Sequence, residues 1–326
     1  MKKRGIGIGC MWYGIGNTGL PNPAGAFVDL LDDGTVNLMV GAADIGQGSN
    51  TILAQIVAEE LGVRYEDVLV TSADTGVTPD GGATSASRQT YISGKAAHLA
   101  AQEAKQVLLE EVAALFGVEK EQLIIQDRNV FVKDYEENGK SILEMVQSCR
   151  KKGKMTIGHG WFNPETTGLD GETGAGSPYG TYAFATQIVE VEVDTETGQV
   201  EVLHIIAAHD VGRAINPQNV EGQIEGGSAM GLGLGLYEEV VMSEGRIETP
   251  SFTTYLIPTS MDVPIVHSLI VEEPADSGPF GAKGVGEPSL IPTSAAIANA
   301  IFNAVGIRIT ELPITPERIL AQLTEN

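Results

Sequence analysis

The feature that most restricts this chain is where its glycines fall. Forty of its 326 residues are glycine, and they gather at 41–48, 81–82, 222–235 and 278–286 instead of spreading through a linker. Glycine lets the backbone turn into left-handed conformations or lie close against another group. Clusters of it therefore mark tight turns, or places where something approaches the main chain. Between the clusters the chain is ordinary packed protein. Hydrophobic residues make up 42% and charged residues 19%, enough to build a core. The length allows two domains or one large one.

Charge and cysteine usage exclude several classes. Forty-three acidic against twenty basic side chains give a net charge of −23, which would repel a phosphate backbone, so no nucleic-acid partner is expected. Cys10 and Cys149 are too few for an iron–sulfur cluster, a four-cysteine zinc site or a disulfide framework. A reducing, cytoplasmic setting fits. His98, His159, His204, His209 and His267 show no metal-ligand spacing, so no metal held by protein side chains is expected. Lys2-Lys3-Arg4 imitates the start of a secretory signal, but Gly5-Ile6-Gly7-Ile8-Gly9 alternates like a strand. No apolar run reaches 18 residues, so no membrane span is expected.

Periodicity predicts strands at 26–31 and 35–40 around Asp32-Asp33-Gly34. A helix follows, capped by Ser49 or Asn50 and ended by Gly62. A strand at 68–71, a long helix stopped by Gly117, a hairpin at 123–132 and a short helix at 141–149 come next. Residues 151–180 read as a connecting loop between a first lobe, 1–160, and a second, 175–326. The second lobe opens with long strands at 182–193 and 199–209 and a small-residue helix at 219–237. A hairpin at 236–248, a strand at 265–271 and helices at 295–305 and after Thr315-Pro316 complete it. Strands and helices mix without a steady βαβ rhythm, which predicts an α+β fold in two lobes.

Three segments could carry chemistry. Gly46-Gln47-Gly48 stands at a predicted helix start, where free backbone N–H groups favour an electron-rich ligand. The same residues suit a plain tight turn. Thr84-Ser85-Ala86-Ser87-Arg88-Gln89-Thr90 is rich in hydrogen-bonding side chains and could wrap a phosphate or a ring edge, or simply cap the next helix. In Gly284-Val285-Gly286-Glu287-Pro288 a carboxylate follows two glycines. That arrangement suits a general base, and equally a helix N-terminus that favours a negative charge.

Taken in order and spacing, these segments resemble one family. Gly46-Gln47-Gly48-x-x-Thr51, Thr84-x-Ala86-Ser87, Asp210-Val211-Gly212-Arg213-Ala214-Ile215-Asn216-Pro217, Gly222-Gln223-Ile224-Glu225-Gly226-Gly227, Gly231-Leu232-Gly233 and Lys283-Gly284-Val285-Gly286-Glu287-Pro288 are similar to the C-terminal half of the molybdopterin-binding subunit of xanthine dehydrogenases, aldehyde oxidases and their bacterial relatives. The resemblance covers nearly the whole chain.

The resemblance implies molybdenum held by a pterin dithiolene, with the pterin as a cytosine dinucleotide. Gly46, Gln47 and Gly48, then Ala86, Ser87, Arg88 and Gln89, then Gly284, Val285 and Gly286 would bind that cofactor. Glu287 would be the catalytic base, and Tyr13 and Asn17 would face the substrate. Trp12 could line the same pocket or pack in the core. Asn17 stands where purine-oxidising members carry a phenylalanine, and Met230 where a glutamine is common.

The Gly-Gly-Phe-Gly-Gly-type loop of the family's upstream half is missing. The resemblance therefore implies a second chain carrying the N-terminal half of the molybdenum domain, an iron–sulfur subunit with [2Fe–2S] clusters and an FAD subunit. Division of this kind resembles the nicotinate-hydroxylating members, implying conversion of nicotinate to 6-hydroxynicotinate. Purine and aldehyde hydroxylation are alternatives, and a non-catalytic assembly chain is an alternative of another class.

Overall fold

The computed structural model describes residues 1–325. In chain order its main elements are β1 (Lys2–Gly14), β2 (Ala24–Leu30), β3 (Val36–Val40), α1 (Ser49–Leu61), β4 (Val68–Ser72), α2 (Gly94–Phe116), β5 (Leu123–Gln126), β6 (Asn129–Val132), β7 (Tyr135–Ser141), α3 (Ile142–Lys151), β8 (Ile157–Phe162), β9 (Tyr182–Asp194), β10 (Val200–Asp210), α4 (Pro217–Leu236), β11 (Met242–Ser243), β12 (Arg246–Ile247), β13 (Ile265–Val271), α5 (Ile291–Val305) and α6 (Pro316–Glu325). The fold class is α+β, as expected.

The chain divides into two compact units, and neither is one continuous stretch. One holds Gly14–Thr181 and Pro274–Gly284. The other holds Met1–Tyr13, Tyr182–Glu273 and the chain from Val285 onward. The chain passes from one unit to the other after Thr181. The first thirteen residues nevertheless belong with the later unit, and eleven residues before Val285 belong with the earlier one.

In the 14–181 unit the sheet order is β4-β3-β2-β8. β2 pairs antiparallel with β3 and with β8, and β3 pairs parallel with β4 across α1. Val28, Leu30, Val36, Leu38 and Val40 are fully buried, the alternation of strands packed on one face. Strand β8 lies inside the segment expected to be loop. Its Gly158 and Gly160 leave no room for a Cβ, because the backbone of α2 lies directly on them at Ala96, Ala100 and Ala104. A glycine-rich strand looks like a loop in sequence, and this close approach is why it is not one.

In the 182–273 unit the order is β1-β9-β10-β13. β9 and β10 form an antiparallel hairpin, and β10 pairs parallel with β13. Gly5, Gly7 and Gly9 of β1 lie against the backbone of α5 at Ala300, Ala296 and Pro292. Val189, Val191, Val193, Ile205, Ile224, Leu232, Ile297 and Ile301 fill the core. The hairpin expected at 236–248 shrinks to two residues a strand, Met242–Ser243 and Arg246–Ile247.

Candidate functional site

The Gly46-Gln47-Gly48 turn follows β3, and its helix start is already occupied by the chain itself. The Asp44 carboxylate accepts from the N–H groups of Gly46 (2.8 Å), Gly48 (3.4 Å) and Asn50 (3.2 Å). Burial opposes its charge, but these N–H groups and the Ser49 hydroxyl outweigh burial and hold the Asp44 carboxyl below the usual range. The expected caps Ser49 and Asn50 are instead the first residues of the helix, with Gly48 in left-handed conformation before them. Gln47 folds back on the turn. Its Oε1 accepts from Ile45 N–H (2.7 Å), and its Nε2 donates to Ala43 O (3.2 Å) and Ser49 Oγ (3.1 Å). Gly46 stays open, since a side chain there would meet nothing within 4 Å.

Thr84 ties the second segment to this turn. Its hydroxyl donates to Ala43 O (2.9 Å) and accepts from Ala43 N–H (3.1 Å) and Gln89 Nε2 (2.8 Å). Ala86 (φ 52°) and Ser87 (φ 51°) are consecutive left-handed residues with side chains. Each such residue costs roughly 1–3 kcal/mol and persists only where its surroundings over-determine it.

The Ala86 carbonyl accepts from Gly16 N–H at 2.9 Å, and the residue that follows the pair, Arg88, anchors the neighbouring backbone. It is 1% exposed, and all five of its N–H groups bind protein. Nε donates to Asn22 Oδ1 (2.7 Å), Nη2 to the carbonyls of Pro23 (2.7 Å) and Asn22 (3.1 Å), and Nη1 to those of Ala83 (3.1 Å) and Gly81. The guanidinium thus serves the loop and presents no donor to a ligand. Asn22, also buried, is a partner that sequence reasoning missed.

The 274–284 segment packs in the same unit. Gly284 lies on Ser87 so closely that any Cβ would collide with the Ser87 carbonyl. Tyr91 and Ser277 share a hydroxyl hydrogen bond (2.6 Å), and Phe280 stacks on His98 at 4.4 Å between ring centres. The structure therefore gathers Gly46–Gly48, Ala86–Gln89 and Gly284 in one unit.

Val285, Gly286 and Glu287 belong to the 182–273 unit. Glu287 opens a short 3-10 turn, Glu287–Ser289, just before α5, and is half-buried. Ser289 Oγ donates to Gly286 O (2.6 Å). The turn seats on α4, where Gly227 leaves no space for a Cβ beside Ser289 and Gly231 none beside Leu290.

Beneath the turn lies a polar cluster that sequence reasoning also missed. Gln187, Ser228, Ser289 and Thr293 are wholly buried, and His209 is 1% exposed. Gln187 Nε2 sits 2.9 Å from Ser289 O, 3.1 Å from His209 Nε2 and 3.3 Å from Ser228 Oγ, while its Oε1 accepts from Thr293 Oγ (2.7 Å). A buried amide without partners would cost about 1–3 kcal/mol. Burial pulls His209 down from 6.5 to about 4, so it is neutral at pH 7. Its Nδ1 is buried with no partner among the described residues. The available signal was a polar residue on the inward phase of an alternating strand, Ala183-x-Ala185-x-Gln187-x-Val189.

Tyr13 and Asn17 are half-buried and fall in different units. Trp12 is not core: it is 70% exposed and stacks on Tyr182 at 5.5 Å. It borders an apolar cleft of about 470 Å³ in its own unit, with Met11, Phe184 and Val271. Met230 is exposed on α4. Among the described residues no group of three or more His, Cys, Asp or Glu is placed to hold a metal ion.

The molybdopterin cofactor-binding domain family matches residues 1–264. A putative xanthine dehydrogenase molybdenum-binding subunit of Escherichia coli (strain K12) is 34% identical, over 97% of this chain and 42% of that protein. The 6-hydroxypseudooxynicotine dehydrogenase complex subunit gamma of Paenarthrobacter nicotinovorans is 31% identical, over 98% and 40%. The crystal structure of quinoline 2-oxidoreductase from Pseudomonas putida 86 superposes with a TM-score of 0.89 at 29% identity, covering 100% of this chain and 42% of that one. The chain belongs to the molybdopterin cofactor-binding domain family, that of the molybdenum-binding subunits of the molybdenum hydroxylases. It spans about two fifths of the length of these relatives.

The residues fit a molybdopterin at the backbone of the 14–181 unit. Gly46 is open to close approach, and Asn50 Oδ1 is buried with no hydrogen-bond partner among the described residues. A strained Ala86–Ser87 pair is held in place beside Gly284.

Proposed function

We propose that this chain is part of a cytoplasmic molybdenum hydroxylase assembly that converts an electron-poor N-heteroaromatic carbon to its hydroxylated form, nicotinate to 6-hydroxynicotinate. Gly46, Gln47, Gly48, Ala86, Ser87, Gln89, Gly284, Val285 and Gly286 hold the molybdopterin, as a cytosine dinucleotide, and Arg88 anchors the loop before Ala86 and Ser87 through Gly81 and Ala83. The cofactor, when bound, supplies Lewis acidity and a two-electron sink.

Overall, a substrate C–H and water become C–OH, two electrons and two protons. Glu287 accepts one of those protons at a carboxylate oxygen. The electrons leave through [2Fe–2S] clusters and FAD on further chains, and another chain supplies the rest of the molybdenum domain. The observation that carries this reading is the strained Ala86–Ser87 pair packed against Gly284, three residues before Glu287. Quinoline and 6-hydroxypseudooxynicotine stand in the names of two relatives, beside xanthine and aldehyde in the names of others, so a nitrogen-ring substrate is one of the classes this family takes.

Glu287→Gln in the assembled complex is the test. Molybdenum content should stay unchanged, while turnover of nicotinate falls by ~10²–10⁴ or more. Wild-type turnover from the variant would remove Glu287 as the base and favour an assembly role. Turnover of xanthine or benzaldehyde in place of nicotinate would correct the substrate alone.

A further inference from the structure

We infer that Gln187 is the positioning residue for Glu287, fixing the turn that carries it from the sheet below. The inference rests on Glu287 being the base. Its observation is independent: one wholly buried amide on β9 reaches the neighbouring strand β10, helices α4 and α5, and the turn itself.

The orientation of that amide is decided by Ser289 O. A carbonyl only accepts, so the atom 2.9 Å from it must be the Gln187 nitrogen. Reversing the amide would set two oxygens against each other. Oε1 then faces Thr293 Oγ, which donates to it at 2.7 Å. His209 Nε2, 3.1 Å from the same nitrogen, must be the acceptor of the pair, so the imidazole proton sits on Nδ1. That proton has no acceptor among the described residues, and the two N–H groups of Gln187 are shared among Ser289 O, His209 Nε2 and Ser228 Oγ.

The contact to the turn is to the main chain of Ser289, two residues after Glu287. Ser289 in turn holds Gly286 O through its hydroxyl (2.6 Å), so the turn is gripped on both sides of Glu287. Gly227 and Gly231 let α4 close on the same turn without filling the space. Removing the amide would leave the Ser289 carbonyl without its donor and free the turn to shift. A misplacement of about 1 Å in a catalytic group lowers turnover on the order of 10²-fold.

The test uses the assembled complex with Gln187→Met, which keeps the volume and removes both polar atoms, and with Thr293→Val, which removes only the donor to Oε1. Gln187→Met should lower kcat roughly 10- to 100-fold with KM and molybdenum content unchanged. Amide hydrogen exchange should rise over residues 286–290 and stay low in β9 and α5. Thr293→Val should show a smaller change of the same kind, and it carries the test if Gln187→Met fails to assemble.

In the Glu287→Gln background, Gln187→Met should add no further loss of kcat, since a misplaced base and a missing base are one defect. Full kcat with unchanged exchange at the turn overturns the inference. So does an equal additional loss in the Glu287→Gln background, which would mark Gln187 as structural. If Glu287→Gln itself keeps full turnover, the base assignment fails instead. If Glu287→Gln is inactive while Gln187→Met is fully active, only the positioning role fails.

Discussion

The two units are built on one plan and stabilised by different chemistry. Each has an antiparallel hairpin, a helix crossing to a parallel strand, and a glycine strand pressed on an alanine-bearing helix: β2-β3-α1-β4 with β8 on α2, and β9-β10-α4-β13 with β1 on α5. Even the turn after the second strand repeats. Asp44 binds the N–H of Gly46 at 2.8 Å, and Asp210 that of Gly212 at 2.9 Å. The buried polar anchors differ. The 14–181 unit uses one arginine with every donor engaged. The 182–273 unit uses a neutral cluster around Gln187 and an uncharged histidine. A shared backbone plan thus leaves the polar interior free to differ, and that difference sets how each unit answers to substitution and to pH.

Substituting Arg88 tests the difference hardest. Arg88→Met leaves the carbonyls of Asn22, Pro23, Gly81 and Ala83 without their donor. The 14–181 unit should lose about 3–5 kcal/mol in denaturant unfolding, with molybdenum content reduced. A loss below about 1 kcal/mol would mean that the loop holds itself.

Acid should act on the other unit. His209 titrates near 4 when folded and 6.5 when unfolded. Above pH 6.5 its contribution to stability is complete. As pH falls from 6.5 to 4 the unfolded chain takes up the proton first, and up to about 3 kcal/mol is lost. Hydrogen exchange at pH 5 against pH 7 should rise in β9, β10 and α4, and His209→Gln should flatten that dependence. Equal loosening of both units would break the contrast.

The shared plan is probed by a pair. Gly7→Ala and Gly160→Ala each drive a methyl into a helix backbone. Each should cost about 1–3 kcal/mol by thermal or chemical unfolding. A tolerated change on one side only would show that the two strand–helix contacts are not equivalent. The smallest effect should come from the caps. Asp44→Ala should weaken the start of α1 by about 1 kcal/mol. Asp210→Ala should do less to α4, because Asn216 caps that helix through the N–H of Asn219 at 3.1 Å.

Much of the fold was legible because the signals were local. Gly62, Gly117 and Gly306 end their helices in left-handed conformation, and Ser141 caps α3 with Glu144 reaching back. β9, which alternates strictly, and β10, which alternates apart from a bulge at Val202–His204, were found nearly to the residue. What escaped depended on distant partners. β8 is a strand only because α2 lies on Gly158 and Gly160. Arg88 looks like one polar residue among several until Asn22, 66 positions away, is seen beside it. Gln187 shows only as a polar residue on the inward phase of its strand, and its partner is out of local reach, since Ser289 lies 102 positions on. The helix start at Gly48 was expected to be open. Its donors face a carboxylate four residues earlier, which spacing alone does not reveal.

That carboxylate has a consequence for selectivity. An uncovered helix start is an adhesive spot for any small oxyanion, and cells are full of inorganic phosphate and sulfate. With Asp44 lodged at the mouth of α1, such ions meet like charge instead of vacant donors. A visitor to the Gly46-Gln47-Gly48 turn must then be recognised by shape and by uncharged contacts, which common anions do not offer.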